Sequence, residues 1–102
     1  VAVDIRRGSP TFGRSVVTVL SEANHRQMFI PEGFAHGFCV TSESALFVYK
    51  CSRLYAPDCE GGIRWCDPDL AIPWPVAAPL LSPKDQRFPR LADIPAYRLP
   101  AY

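Results

Sequence analysis

The apolar residues of this chain alternate with polar or small residues over short runs, and clusters of Gly, Pro, Ser and Asn separate the runs. Alternation with a period of two is typical of β-strands, whereas no stretch sustains the 3.6-residue period of a helix. The pattern predicts strands at 1–5, 15–20, 27–30, 36–41 and 45–50, with short additions at 53–56 and 62–65. Short strands at such regular spacing indicate an all-β sandwich or barrel.

The second half of the chain is dominated by proline after residue 67. Eight of the 11 prolines lie between residues 68 and 100. Proline cannot donate to a sheet ladder, so this segment is predicted to wrap the barrel as loop rather than to form central strands. The final residues, 96–102, are expected to fray. Residues 1–102 together have the length of a single domain.

The two best strand candidates are joined by the polar stretch 41–44, which predicts a β-hairpin. A connection of even length places His36 opposite Tyr49 and Phe38 opposite Phe47, with Cβ atoms about 4.5–5.5 Å apart. A connection of odd length would move every side chain to the other face. The even register therefore puts two proton-carrying side chains on one face of the hairpin.

Composition and charge narrow the functional classes. The chain is 48% hydrophobic and 21% charged, which excludes disorder, and its net charge of +1 gives no field for nucleic acid or an anionic membrane. No apolar run reaches the ~18–20 residues of a membrane span, and no signal-peptide pattern is present, so a cytoplasmic location is expected. The cysteines lack CxxC spacing, which argues against zinc. Cys39 and Cys51 are predicted to be buried in strands.

Several motifs, in order and with matching spacing over nearly the whole chain, resemble those of the dTDP-4-dehydrorhamnose 3,5-epimerases. They are V-D-I-R and G-S-P-T-F-G (3–6, 8–13), I-P-E-G-F-A-H-G-F (30–38), Y-K (49–50), Y-A-P (55–57), W-C-D-P-D-L-A-I-P-W-P (65–75) and L-S-P-K-D (81–85). The combination is far more specific than any one of the short motifs.

The resemblance implies a cupin-type jelly-roll barrel, here without its leading strands, in an enzyme that uses no metal or cofactor and forms a homodimer. Such enzymes epimerise C3 and C5 of a dTDP-4-keto-6-deoxy sugar on the way to dTDP-L-rhamnose. This chemistry requires a base, an acid on the opposite face and stabilisation of the enolate.

The family's reacting groups map onto three positions. Tyr49 resembles the tyrosine acid, and His36 the histidine that lines the sugar pocket. Asp85 resembles the aspartate that hydrogen-bonds the catalytic histidine. Each also has a simpler interpretation: His36 and Tyr49 as ordinary barrel residues, and Asp85 as the cap of a turn at 82–86.

Three further positions fall where the family binds the nucleotide. Tyr55 is expected to stack on the thymine, Glu60 to contact the nucleotide, and Lys84 to lie near the diphosphate. Exposed loop residues of these types are common, so the alternative is a plain surface role. Trp65 and Trp74 are assigned to barrel packing.

The catalytic histidine of the family, in an Arg-Gly-Leu-His-like motif upstream of V-D-I-R, is not in these residues. His25 lies in a polar turn and does not replace it. We therefore expect the C-terminal part of an epimerase, inactive by itself. A catalytically incomplete remnant, or a module for sugar-nucleotide binding or dimerisation, is the alternative. Epimerases acting at C3 or C5 alone and ketoisomerases are not distinguished, and a metal-dependent cupin is disfavoured because His36 is the one histidine in a predicted strand.

Overall fold

Three short antiparallel strands form the sheet in the computed structural model, which describes residues 1–102. The central strand lies between the other two, and all of its residues are buried. The strands are β1 (Ala2–Asp4), β2 (Ser15–Val16) and β3 (Phe34–His36). In the register of β1 and β3, Ala2 pairs with His36 and Asp4 with Phe34. The sheet therefore joins the V-D-I-R and P-E-G-F-A-H motifs side by side.

The hydrophobic core lies between β1 and the proline-rich segment. Val3 packs with Leu70, Leu91 and Leu99, and all four residues are buried, with only 4–9% of their surface exposed. Burial of apolar surface from both ends of the sequence holds the two together. The segment contains turns and the short 3₁₀ helices Asp85–Arg87, Leu91–Asp93 and Ala96–Arg98. The segment therefore lies against the sheet as loop and short helices rather than as central strands, as predicted, while the barrel stays a prediction.

Asp67 fixes the path of this segment. Its side chain is 2% exposed and accepts hydrogen bonds from the backbone N–H of Leu91 at 2.7 Å and of Asp69 at 2.9 Å. Nearby, the Trp74 indole donates to the carbonyl of Trp65 at 2.7 Å, and both rings are half-buried. The packing role assigned to the two tryptophans agrees with this contact.

The C-terminal end is docked, and the expectation that it frays is wrong. Arg7 and Ala101 form a parallel bridge, in which the Arg7 N–H donates to Pro100 at 2.7 Å and the Tyr102 N–H to Arg7 at 3.0 Å. The Arg7 guanidinium also donates to the carbonyl of Leu99 at 3.1 Å. Backbone pairing and the buried Leu99 hold the last residues against the V-D-I-R segment.

Most of the other predicted strands are absent or shortened. The 15–20 run forms a strand only at Ser15–Val16, the 36–41 run only at His36, and 27–30, 45–50, 53–56 and 62–65 form none. No backbone–backbone hydrogen bond involves residues 38–55, and a strand requires a hydrogen-bonded neighbour. Because no neighbouring strand covers this segment, Leu46 and Leu54 are 92% and 96% exposed. Cys51 was predicted to be buried and is exposed. Cys39 is half-buried.

None of the helices is long and apolar enough to cross a membrane.

Candidate functional site

A buried carboxylate at the end of β1 organises the first part of the site. Asp4 is 1% exposed and accepts two hydrogen bonds from the Arg6 guanidinium, each 2.9 Å long. The hydroxyls of Ser9 and Thr11 each donate to the same carboxylate at 2.5 Å. The pKa of Asp4 lies well below its usual range, chiefly because Arg6 donates hydrogen bonds to its carboxylate. Burial acts in the opposite direction, and the hydrogen bonds from Ser9 and Thr11 lower the pKa further. The network closes the loop between β1 and β2.

The same guanidinium reaches the turn that leads into β3. Arg6 lies over the Phe34 ring at 4.7 Å and over the Tyr102 ring at 4.9 Å, measured to the ring centroids. Gly33 has a φ of +85°, and a Cβ at this position would lie 2.7 Å from Cγ of Arg6. We call Asp4, Arg6, Phe34 and Tyr102 the Arg6 clamp. The V-D-I-R motif alone does not reveal this arrangement, because Phe34 and Tyr102 lie in distant parts of the sequence.

Gly33→Ala is expected to destabilise the chain more than Gly8→Ala. Both glycines have φ above +80°, so either alanine costs about 1 kcal/mol in backbone strain. Nothing lies within 4 Å of a Cβ at Gly8, whereas a Cβ at Gly33 collides with Arg6 and adds about 1–3 kcal/mol. Urea denaturation of the two variants measures the difference. Equal losses would show that Arg6 does not hold the turn.

His36 and Tyr49 lie on either side of a segment that the sequence predicts to form a hairpin. His36 is exposed at the end of β3, and Tyr49 is 70% exposed. Phe38 stacks on Phe47 with ring centroids 4.2 Å apart, and Phe47 contacts the Tyr49 ring at 5.4 Å. The even register predicts the contact of Phe38 with Phe47, but the backbone ladder expected with it is absent. The pairing of His36 with Tyr49 stays a prediction.

A second group brings together three of the predicted residues from two loops. The Lys84 ammonium lies 3.3 Å from a carboxylate oxygen of Glu60, and Asp85 follows Lys84 directly. The Asp85 N–H donates to the Ser82 hydroxyl at 3.1 Å, so Ser82 and not Asp85 caps this turn. The Asp85 side chain is exposed and makes no hydrogen bond or ion pair. Its carboxylate is therefore available to accept a hydrogen bond from another group.

Backbone contacts hold these two loops side by side. The Arg64 N–H donates to the carbonyl of Pro89 at 2.8 Å, and Gly62 lies against the Phe88 ring, where a Cβ would have no room. Tyr55 precedes the 3₁₀ helix Pro57–Cys59, is 76% exposed and has no hydrogen-bond or aromatic partner. The structure thus joins Glu60 with Lys84 but does not bring Tyr55 to them.

The candidate residues offer a phenol, an imidazole, an ammonium and an unpartnered carboxylate, but no hydrogen bond, ion pair or aromatic contact joins His36 and Tyr49 to the group of Lys84 and Glu60. These groups can move protons and bind an anionic ligand. No group of three or more His, Cys, Asp or Glu side chains comes together, so no metal-binding set can be named. His25 lies in the exposed turn predicted for it, and its backbone N–H donates to the carbonyl of Ser21 at 3.0 Å.

Comparison with known proteins gives a consistent result. A family model described as dTDP-4-dehydrorhamnose 3,5-epimerase matches residues 1–93. The enzyme of that name from Shigella flexneri is 55% identical over 93 residues, which are 91% of this chain and 51% of the relative. The one from Pseudomonas aeruginosa is 57% identical over 94 residues, or 91% of this chain and 52% of the relative. A dTDP-4-dehydrorhamnose 3-epimerase from Streptomyces niveus is 45% identical over 103 residues, covering 100% of this chain and 50% of the relative.

A solved structure agrees with these relatives. The crystal structure of a dTDP-6-deoxy-D-glucose-3,5-epimerase from Legionella pneumophila, in complex with dTDP-4-keto-L-rhamnose, superposes with a TM-score of 0.95 at 53% identity. The match covers 99% of this chain and 54% of that one. The chain therefore spans about half the length of the relatives it matches, and aligns with their C-terminal portion.

Proposed function

The chain belongs to the dTDP-4-dehydrorhamnose 3,5-epimerase family, and from that premise we propose the activity of the protein that contains it. The protein epimerises dTDP-4-dehydro-6-deoxy-D-glucose at C3 and C5 to give dTDP-4-dehydro-L-rhamnose. The observation that carries the proposal is the 53% identity and TM-score of 0.95 to an epimerase in complex with dTDP-4-keto-L-rhamnose. A non-catalytic binding module is not favoured, since the relatives reported above are all named as epimerases.

The reaction removes a proton from the carbon beside the 4-keto group and returns one from the other face. Tyr49 delivers the returning proton, because a neutral phenol is an O–H donor at neutral pH. The base is the histidine of the family's Arg-Gly-Leu-His-like motif, which these 102 residues do not contain. Asp85 accepts a hydrogen bond from that imidazole and makes it more basic. Its exposed, unpartnered carboxylate supports this role.

Binding of the substrate involves the remaining candidate residues. His36 lines the sugar pocket, and Tyr55 stacks on the thymine with a ring that is 76% exposed. Lys84 and Glu60 meet the nucleotide part. Their 3.3 Å ion pair is solvent-exposed, and such pairs contribute only about 0–1 kcal/mol, so Lys84 can turn to the diphosphate at little cost.

In this proposal the chain is one part of a jelly-roll barrel that forms a homodimer. Residues 38–55 support it, because their apolar side chains are exposed and their backbone groups are free of backbone partners. A jelly roll pairs such extended segments with neighbouring strands.

Solvent hydrogen exchange tests the function. The full-length protein is incubated with dTDP-4-dehydro-6-deoxy-D-glucose in D₂O, and deuterium at C3 and C5 is measured by NMR. Deuterium at both carbons is expected. Deuterium at one carbon identifies a 3- or 5-epimerase. If neither carbon gains deuterium although the protein still binds dTDP, the epimerase assignment is overturned. The control is dTDP-glucose, which lacks the ketone that acidifies these C–H bonds and is expected to gain no deuterium.

A further inference from the structure

We propose that Arg6 is a positioning residue for His36, and that the ring of Tyr102 helps to hold Arg6 in place. The Arg6 clamp fixes the turn from which β3 begins, and thereby the direction in which β3 presents the His36 imidazole. The functional consequence rests on the proposed role of His36 in the sugar pocket.

Arg6 is itself rigidly held. Its guanidinium donates two hydrogen bonds of 2.9 Å to the buried Asp4, and its own N–H donates a third to the same carboxylate at 3.0 Å. A bidentate Arg–carboxylate pair fixes orientation as well as distance. The pairing raises the pKa of Arg6, so the charge is present throughout the pH range in which proteins work.

The held guanidinium then fixes the start of β3. Phe34, the first residue of β3, lies under it at 4.7 Å, and the absence of a Cβ at Gly33 lets the Arg6 stem approach the backbone of the turn. His36 is two residues beyond Phe34, at the last position of the strand.

Tyr102 supplies a second aromatic ring beside Arg6. Its ring lies 4.9 Å from the guanidinium, and its backbone N–H donates to Arg7 at 3.0 Å. Phe34 and Tyr102 thus give one guanidinium two cation–π contacts. Loss of the Tyr102 ring therefore loosens Arg6 without removing its hydrogen bonds to Asp4.

Tyr102→Leu in the full-length protein tests the proposal, with Tyr102→Phe as the matched control that keeps the ring. We expect Tyr102→Leu to lower kcat/KM about three- to tenfold, and Tyr102→Phe to stay within about twofold. In the His36→Asn background, Tyr102→Leu is expected to have no further effect. An equal loss in both backgrounds overturns the proposal, because Arg6 then acts through another group.

Amide hydrogen exchange separates this proposal from the proposed function. Faster exchange of the Phe34 and Gly37 amides, which donate to Pro31 and Val1, is expected in Tyr102→Leu but not in Tyr102→Phe. If His36→Asn leaves both kcat and KM unchanged, the pocket role of His36 fails, and the exchange result alone decides whether the clamp holds β3. Unchanged exchange in Tyr102→Leu overturns the clamp even if His36 is essential.

Discussion

Tyr49→Phe is expected to lower kcat of the full-length enzyme by about 10²–10⁴-fold, the range for loss of a general acid, while KM stays nearly unchanged. The substitution removes one oxygen and keeps the ring, so the contact of Tyr49 with Phe47 at 5.4 Å persists. In the proposed mechanism, the base on the other face abstracts the proton without the phenol. Exchange of substrate hydrogen with solvent is therefore expected to continue without inversion.

Tyr55→Phe is the matched control, because it makes the same chemical change in a ring that is also exposed, 76% against 70% for Tyr49. Stacking on a base requires the ring and not the hydroxyl, so kcat is expected to stay within about twofold. Steady-state kinetics and binding of dTDP are measured for both variants. A Tyr49→Phe enzyme with wild-type kcat would remove Tyr49 from the reaction, whereas equal losses in both variants would point to a shared effect on folding.

The sequence pattern predicted well where a segment finds its pairing and packing partners within these 102 residues. β1 lies inside the predicted 1–5 strand, and the proline-rich segment wraps onto it through Leu70, Leu91 and Leu99. The prediction of a strand over 45–50 was wrong. A period of two indicates that a segment can form a strand, but the strand itself requires a neighbouring strand to which it can hydrogen-bond. The stack of Phe38 on Phe47 is a contact that the even register predicts, and it forms without that ladder.

Contacts between distant parts of the sequence were the least predictable. The docking of Tyr102 on Arg6 joins residues 96 positions apart, and no local signal at the C-terminus distinguishes a docked end from a frayed one. Among the candidate residues, Lys84 contacts Glu60, and the role of both at a ligand stays a prediction. The sequence left open whether Asp85 caps the turn at 82–86 or hydrogen-bonds a histidine. The Asp85 N–H donates to the Ser82 hydroxyl, so Ser82 caps the turn.

Asp4→Asn is expected to lower the Tm of the chain by more than about 10 °C at pH 7, because breaking a buried ion pair leaves its partner uncompensated. The Arg6 side chain is only 26% exposed, and it would face a neutral amide in place of the carboxylate. The hydroxyls of Ser9 and Thr11 would lose a charged acceptor at 2.5 Å. Thermal unfolding followed by circular dichroism measures the effect.

The pH dependence of stability gives the same prediction a second readout. The pKa of Asp4 is lower in the folded state than its ordinary value of about 3.9, so the folded chain binds fewer protons than the unfolded chain in acid. Its contribution to stability is therefore complete above about pH 5 and is lost as the pH falls through 4 and below. We expect the wild-type Tm to fall over this range and the Tm of Asp4→Asn to fall much less.

Asp93→Asn is the control, since Asp93 also pairs with an arginine, Arg90 at 3.2 Å, but on the surface. An exposed pair contributes about 0–1 kcal/mol, so its loss is expected to shift Tm by no more than about 8 °C at pH 7. If Asp4→Asn shows no cooperative transition, Thr11→Val removes a single donor to the same carboxylate and is expected to give a smaller loss. Equal Tm values for Asp4→Asn and Asp93→Asn would mean that the buried network does not hold β1 to the loop that follows it.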